Sequence, residues 1–158
     1  MADDIRAITS EARKKTDARS HADGPRSSVD GPQSSVDGQI YKFQRLEIYQ
    51  LALTYIDLIY ELAAKLPRSE EYGLKSQITR AANSIALNIA EGSTGQSDAE
   101  QSRFLGIALR SLIETVACQD IIHQRRYASD AELQDSRQFS TKLFAKIQAM
   151  RKSLRSDR

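Results

Sequence analysis

The chain has 158 residues, a formal net charge of +2, 40% hydrophobic and 28% charged residues, no tryptophan and a single cysteine. That length suits one domain plus a tail. One cysteine excludes an intrachain disulfide, and so mild a basicity does not by itself identify a nucleic-acid binder.

Residues 1–38 differ from the rest. The segment Asp23-Gly-Pro-Arg-Ser-Ser-Val29 recurs as Asp30-Gly-Pro-Gln-Ser-Ser-Val36 and is followed by Asp37-Gly38. Gly-Pro breaks any helix, and one valine per repeat cannot build a core, so the expectation is a disordered low-complexity extension. These residues carry no basic excess. The excess falls at the other end, where seven basic residues and one acid follow from Arg137 onward.

The first predicted helix runs from Phe43 to Leu66 and carries two apolar stripes. Leu46, Tyr49, Leu53, Ile56, Tyr60 and Ala63 form one; Ile48, Leu51, Tyr55, Leu58 or Ile59, Leu62 and Leu66 form the other. One stripe suffices to bury one face, so two imply a central helix or a subunit interface. Pro67 ends the helix. The second helix runs from Gly73 or Leu74 to Glu91, with a core stripe of Leu74, Ile78, Ala82, Ile85 and Ile89. Beside it lies a small or polar stripe, Ala81, Ser84, Asn88 and Glu91, and Gly92 stands where a left-handed cap belongs. Ser97 with Glu100 forms a capping-box signature for the third helix, which reaches about His123 and is the most apolar of the four. Ser129 with Glu132 repeats the signature for the fourth. Leu133, Ser136, Ser140, Leu143, Ile147, Met150 and Leu154 then alternate by three and four, the seam of a helical bundle. Short connections make successive helices antiparallel. The fold class is therefore all-α, an up-down-up-down four-helix bundle over residues 41–155.

Three stretches, 41–53 (YKFQRLEIYQLAL), 72–93 (YGLKSQITRAANSIALNIAEGS) and 103–116 (RFLGIALRSLIETV), resemble the four-helix bundle family of proteins encoded in 23S rRNA intervening sequences. The accessory proteins of diversity-generating retroelements look like relatives. The resemblance extends over Tyr41 to Leu154. It departs at Ala86, where the family commonly has proline, so the second helix is expected to lack a kink. The resemblance implies a homo-oligomer, pentameric in the family, and a role in binding nucleic acid.

The sequence holds no phosphate-binding loop, H-E-x-x-H or C-x-x-C motif, so no cofactor and no catalytic or metal residues are assigned. Glu91 and Glu114 are the only candidates for paired carboxylates, and hydrogen bonds within or between helices, for instance with Arg80 or Arg103, explain them as well. The functional lead is the basic set Lys142, Lys146, Arg151, Lys152 and Arg155, with Arg125 and Arg126 in the preceding turn. A solvated helix face and a favourable interaction with the helix dipole account for the same residues. Ring symmetry would repeat the patch, and phosphate contacts add. The function expected is a non-enzymatic homo-oligomer that binds structured RNA or DNA through phosphates with low sequence specificity. The alternative is a scaffold or accessory subunit for a protein partner such as a reverse transcriptase. Without an apolar secretory segment or a run of about 18 apolar residues, a cytoplasmic protein with no membrane partner is expected.

Overall fold

The computed structural model describes residues 41–95 and 97–156; the extension expected over residues 1–38 lies outside them. A 3₁₀ turn, Lys42–Arg45, leads into α1 (Glu47–Ala64). A second, Arg68–Glu70, leads into α2 (Leu74–Thr94), which is followed by α3 (Asp98–Gln124) and α4 (Asp130–Ser156). There is no strand among the described residues. The helices form an antiparallel ring in which α1 packs on α2 and α4, and α3 packs on the same two. α1 and α3 therefore face each other diagonally.

Where helices begin and end follows the local chemistry, with two departures from the sequence reading. The first helix does not run unbroken from Phe43. Leu46 is extended, with φ −71° and ψ 127°, because Gln44 holds the turn before it. The Gln44 side chain accepts from the Tyr41 backbone N–H at 2.7 Å, and the Gln44 backbone carbonyl accepts from Gln50 Nε2 at 2.8 Å. Phe43 packs edge-on against Tyr49, with ring centroids 4.8 Å apart. The second departure is Gly92, which is not a left-handed cap. α2 continues to Thr94, and Gly92 is buried within it. A Cβ at Gly92 would stand 2.8 Å from Cβ of Phe104, so the missing side chain lets α2 and α3 close on each other. The left-handed cap occurs instead after α3, at Arg126 (φ 59°). Tyr127 N–H donates to the Ile122 carbonyl and Arg126 N–H to that of His123, the two bonds of a Schellman motif.

Both predicted N-caps are present. The Ser97 hydroxyl accepts from the Glu100 N–H at 3.2 Å. Ser129 N–H donates to the Glu132 carboxylate at 2.9 Å, while Glu132 N–H donates back to the Ser129 hydroxyl. These bonds, with Lys65 beside them, hold the Glu132 carboxyl below the usual carboxylate range. α2 is uninterrupted through Ala86.

The α4 seam is buried from Leu133 through Ile147, and α1 buries the stripe containing Ile48, Tyr55, Ile59 and Leu62, with Leu66 just beyond its end also buried. The other α1 stripe is left partly in solvent: Leu53 is 39% exposed and Tyr60 47%. The core also contains polar residues. Gln119, Thr115 and Tyr55 are fully buried and Ser136 nearly so. Ser136 donates to Gln119 Oε1 at 2.9 Å, and Gln119 Nε2 donates to the Tyr55 oxygen at 2.9 Å. Tyr55 lies 2.7 Å from the Thr115 hydroxyl, which itself donates to the Leu112 carbonyl, so Tyr55 is the donor of that pair. The Ser136 hydroxyl also lies 3.0 Å from the Leu133 carbonyl, so its proton is shared between two acceptors, and no buried side-chain polar atom among the described residues lacks a partner. Burial pushes the Tyr55 hydroxyl up to about 12, only partly offset by its hydrogen bonds to Thr115 and Gln119.

Removing only one member of the chain strands the others. Tyr55→Phe is expected to cost about 1–3 kcal/mol, and Tyr55→Phe combined with Gln119→Leu less than the sum of the single changes. Because the folded-state pKa lies above the unfolded value of 10.0, the folded chain retains the proton longer. This contribution is complete below pH 10 and is lost as pH rises from 10 towards 12. Urea midpoints measured across that window should fall less steeply for Tyr55→Phe than for the parent. Parallel curves would show that Tyr55 does not titrate as its burial requires.

Candidate nucleic-acid interface

On a straight α-helix, residues three or four apart share a face. Arg151 and Arg155 therefore lie together on α4, on the side turned towards α3. Arg151 Nε donates to the carbonyl of buried Ser102 at 3.1 Å. Its guanidinium lies flat on the backbone of Gly106, where a Cβ would meet it at 3.2 Å. Nε is occupied by the bond to Ser102, and Nη2 is the guanidinium atom nearest that Cβ position.

Three hollows border this guanidinium. The largest, 690 Å³, is a groove between α3 and α4 with Arg103, Arg110 and Arg151 at its edges and Ile107, Ile113 and Phe144 in its walls. The second, 380 Å³, lies between Arg103, Arg151 and Arg155, and the third, 350 Å³, between Arg151, Lys152 and Arg155. Together they follow α4 from Phe144 to Arg155, about 16 Å. Among the described residues no aspartate or glutamate lines them, and none of these five cations has an ion-pair partner. The Arg103 guanidinium lies over the Phe104 ring at 4.8 Å.

The remaining predicted cations lie elsewhere. Lys142 and Lys146 project from the opposite flank of α4, towards α1. Lys146 pairs with Glu47 at 2.9 Å, and Lys142 Nζ lies 5.6 Å from the Phe139 ring, which stacks on Tyr55. Arg125 and Arg126 occupy the α3–α4 turn at the far end of the bundle, about 30 Å along α4 from Arg151. The structure thus divides the seven predicted residues among two flanks and one end. It adds Arg103 and Arg110 from α3, which the basic excess at the C-terminus does not reveal because they are distant from it in the chain. The signal that would have found them is their spacing with Gly106: Arg103, Gly106 and Arg110 share one face of a single helix.

The carboxylates considered for acid–base chemistry do not converge. Glu114 accepts from Gln77 at 3.4 Å, whereas Glu91 borders Glu100 and Phe104. About 20 Å of α2 separates Gln77 from Glu91. The Cys118 thiol is buried, and burial, followed by the nearby Glu114 carboxylate, pushes its pKa up, away from the reactive thiolate. No group of histidine, cysteine and carboxylate side chains among the described residues is placed to hold a metal. His123 Nε2 lies 3.2 Å from Asp130, which also pairs with Arg137. No helix is long and apolar enough to cross a membrane among the described residues.

Residues 44–149 match the family of 23S rRNA-intervening sequence proteins. The chain belongs to this family. A crystal structure of a protein of unknown function from the S23 ribosomal protein family of Bacteroides thetaiotaomicron shares its fold. The TM-score is 0.62 at 24% identity, over 66% of this chain and 95% of that one. No curated protein matches the sequence. Gly106, inside α3, weakens that helix by about 0.5–1 kcal/mol relative to alanine.

The seat of Arg151 on Gly106 is testable by a mutant cycle. Gly106→Ala should gain that helix-propensity increment in an Arg151→Ala background and less where Arg151 is present, as read from urea midpoints of the four proteins. An equal gain in both backgrounds would show that the guanidinium does not rest on the glycine.

Proposed function

We propose that this member of the family is a non-enzymatic, homo-oligomeric helical bundle that binds structured RNA or DNA through phosphate contacts with low sequence specificity. The observation that carries the reading is the acid-free track along α3 and α4. Among the described residues, its guanidiniums line these hollows with no carboxylate beside them. Guanidinium groups match phosphate oxygens two at a time, and one of these is already fixed in place by Ser102. Membership of a family named for 23S rRNA intervening sequences supports RNA as the nucleic acid. The separation of Glu91 from Glu114 and the burial of Cys118 support the absence of catalysis.

Binding by phosphates predicts a steep dependence on salt. Replacing Arg103, Arg110, Arg151 and Arg155 together by glutamine should leave the helical signal intact and reduce the log–log salt slope by about three to four for duplex targets, at roughly 0.9 per phosphate lost. Lys142→Gln with Lys146→Gln should change affinity by less than about threefold, since neither lysine lines the groove and Lys146 turns to Glu47 on α1. Fluorescence anisotropy across a salt series reads both. Equal losses from the two sets of changes would move the site away from the groove.

Self-association is supported by the apolar side chains left in solvent, Leu53 and Tyr60 on α1 and Leu87, 61% exposed, on α2. Tyr60 and α2 are already joined by the Asn83 amide, which donates to the Tyr60 hydroxyl at 2.8 Å. Light scattering on the eluting protein is expected to give a multiple of the chain mass, a pentamer if this chain follows its family resemblance. Leu53→Ser with Leu87→Ser should reduce that mass towards the monomer. A monomeric parent would overturn self-association. The same exposed residues would then favour the second reading, an accessory subunit docking on a protein such as a reverse transcriptase, as the resemblance to retroelement accessory proteins implies.

A further inference from the structure

We propose that the groove between α3 and α4 takes an unpaired nucleotide, its base against Ile107, Ile113 and Phe144 and its flanking phosphates on Arg103, Arg110 and Arg151. The inference rests on the phosphate-binding reading above and names the class of nucleic acid that this site selects. Four observations lead to it.

The first is the mixture of walls. A duplex turns its phosphates and sugars outward and keeps its base faces stacked inside, so a surface built only for duplex backbone gains nothing from an apolar floor. Yet Ile113 is 53% exposed beside Arg110, and Ile107 and Phe144 continue the same wall. An extruded base has an apolar face to cover these side chains and a polar edge to leave at the mouth of the groove.

Size is the second. A volume of 690 Å³ falls within the range of sites for small organic groups, about 300–1,000 Å³, and the hollow is a groove open to solvent between two helices.

The third is the distribution of charge. Cations continue past the groove through Arg155 and Lys152, so the track asks for several anionic groups spaced along one chain rather than for one anionic head. A nucleic-acid strand has that spacing and a fatty acid does not. Among the described residues no carboxylate lines the track, which gives a cationic ligand no partner there.

The fourth is the guanidinium of Arg151. It is planar and pinned on Gly106. It therefore offers a fixed flat surface beside the groove, suited to stacking or to bidentate contact with a phosphate. Gln148 is the one uncharged polar side chain in the lining of the groove, so little is available to read a base edge, and any of the four bases should be accepted.

The test compares hairpins that differ only in pairing. One carries a single unpaired 2-aminopurine in its stem; in its control that residue is paired, and both stems are closed by the same non-nucleotide linker in place of a loop. RNA and DNA versions of both are titrated against the full chain by anisotropy and by 2-aminopurine emission. The unpaired version is expected to bind about tenfold more tightly, the scale of one base stacking on protein, and its emission to change on binding. Ile113→Ser, at an exposed position, and Phe144→Leu, which keeps the wall apolar, should each reduce that preference severalfold while leaving affinity for the paired control unchanged. Circular dichroism would verify that both variants retain their helices. A preference in either the RNA or the DNA pair supports the proposal. Equal affinity for paired and unpaired hairpins in both, or a preference that survives both substitutions, overturns it and leaves phosphate binding standing. Failure of every hairpin to bind at low salt overturns both.

Discussion

The hydroxyl of Tyr55 decides how three of the four helices sit against one another. α1 and α3 face each other across the ring and their backbones do not approach closely, yet Tyr55 reaches from α1 to Thr115 and Gln119 of α3. Gln119 carries the chain on to Ser136 of α4. Apolar packing alone tolerates small slides of one helix along another. A buried hydrogen-bond chain does not, because a slide leaves donors and acceptors unpaired in a dry interior. The network thus fixes the register of three helices at one level, while Gly92 against Phe104 and Ser84 against Ser111 set the close approach of α2 and α3. With α3 and α4 held in register, Ser102 and Gly106 come opposite Arg151, and the groove takes its shape.

The fold was legible because its signals are repetitive. The α4 seam repeats through seven positions, both serine caps stand three residues before a glutamate, and Pro67 terminates α1 as its ring requires. What escaped the sequence reading were facts about partners in space. Gln119 and Thr115 look like surface residues in a list of helical positions, and only the position of Tyr55 on another helix makes them core. Gly92 looks like a cap, since glycine at a helix end usually is one. Its reason is instead the Phe104 side chain, which arrives from the next helix. The left-handed position went to Arg126, a residue type that ordinarily avoids it.

The candidate site was legible in part. Arg151, Lys152 and Arg155 were found because the basic excess near the C-terminus is visible in composition. Grouping them with Lys142 and Lys146 was a consequence of reading charge along the chain rather than around the helix. Lys146 turns one way to meet Glu47, and Arg151 turns the other to meet Ser102. Arg103 and Arg110 contribute as much to the groove as the residues of α4, but each appears in the sequence as an ordinary exposed cation on an otherwise apolar helix. Two helices that meet only after folding share the surface, and no local window of sequence contains both.

The neutrality of the buried network carries its own consequence. Ser136, Gln119, Tyr55 and Thr115 are all uncharged, and burial suppresses ionisation of the tyrosine, whereas the groove is lined by permanent charges open to solvent. Mobile ions screen the second and have almost nothing to act on in the first. Ionic strength is therefore a control that reaches the surface of this protein without reaching its architecture.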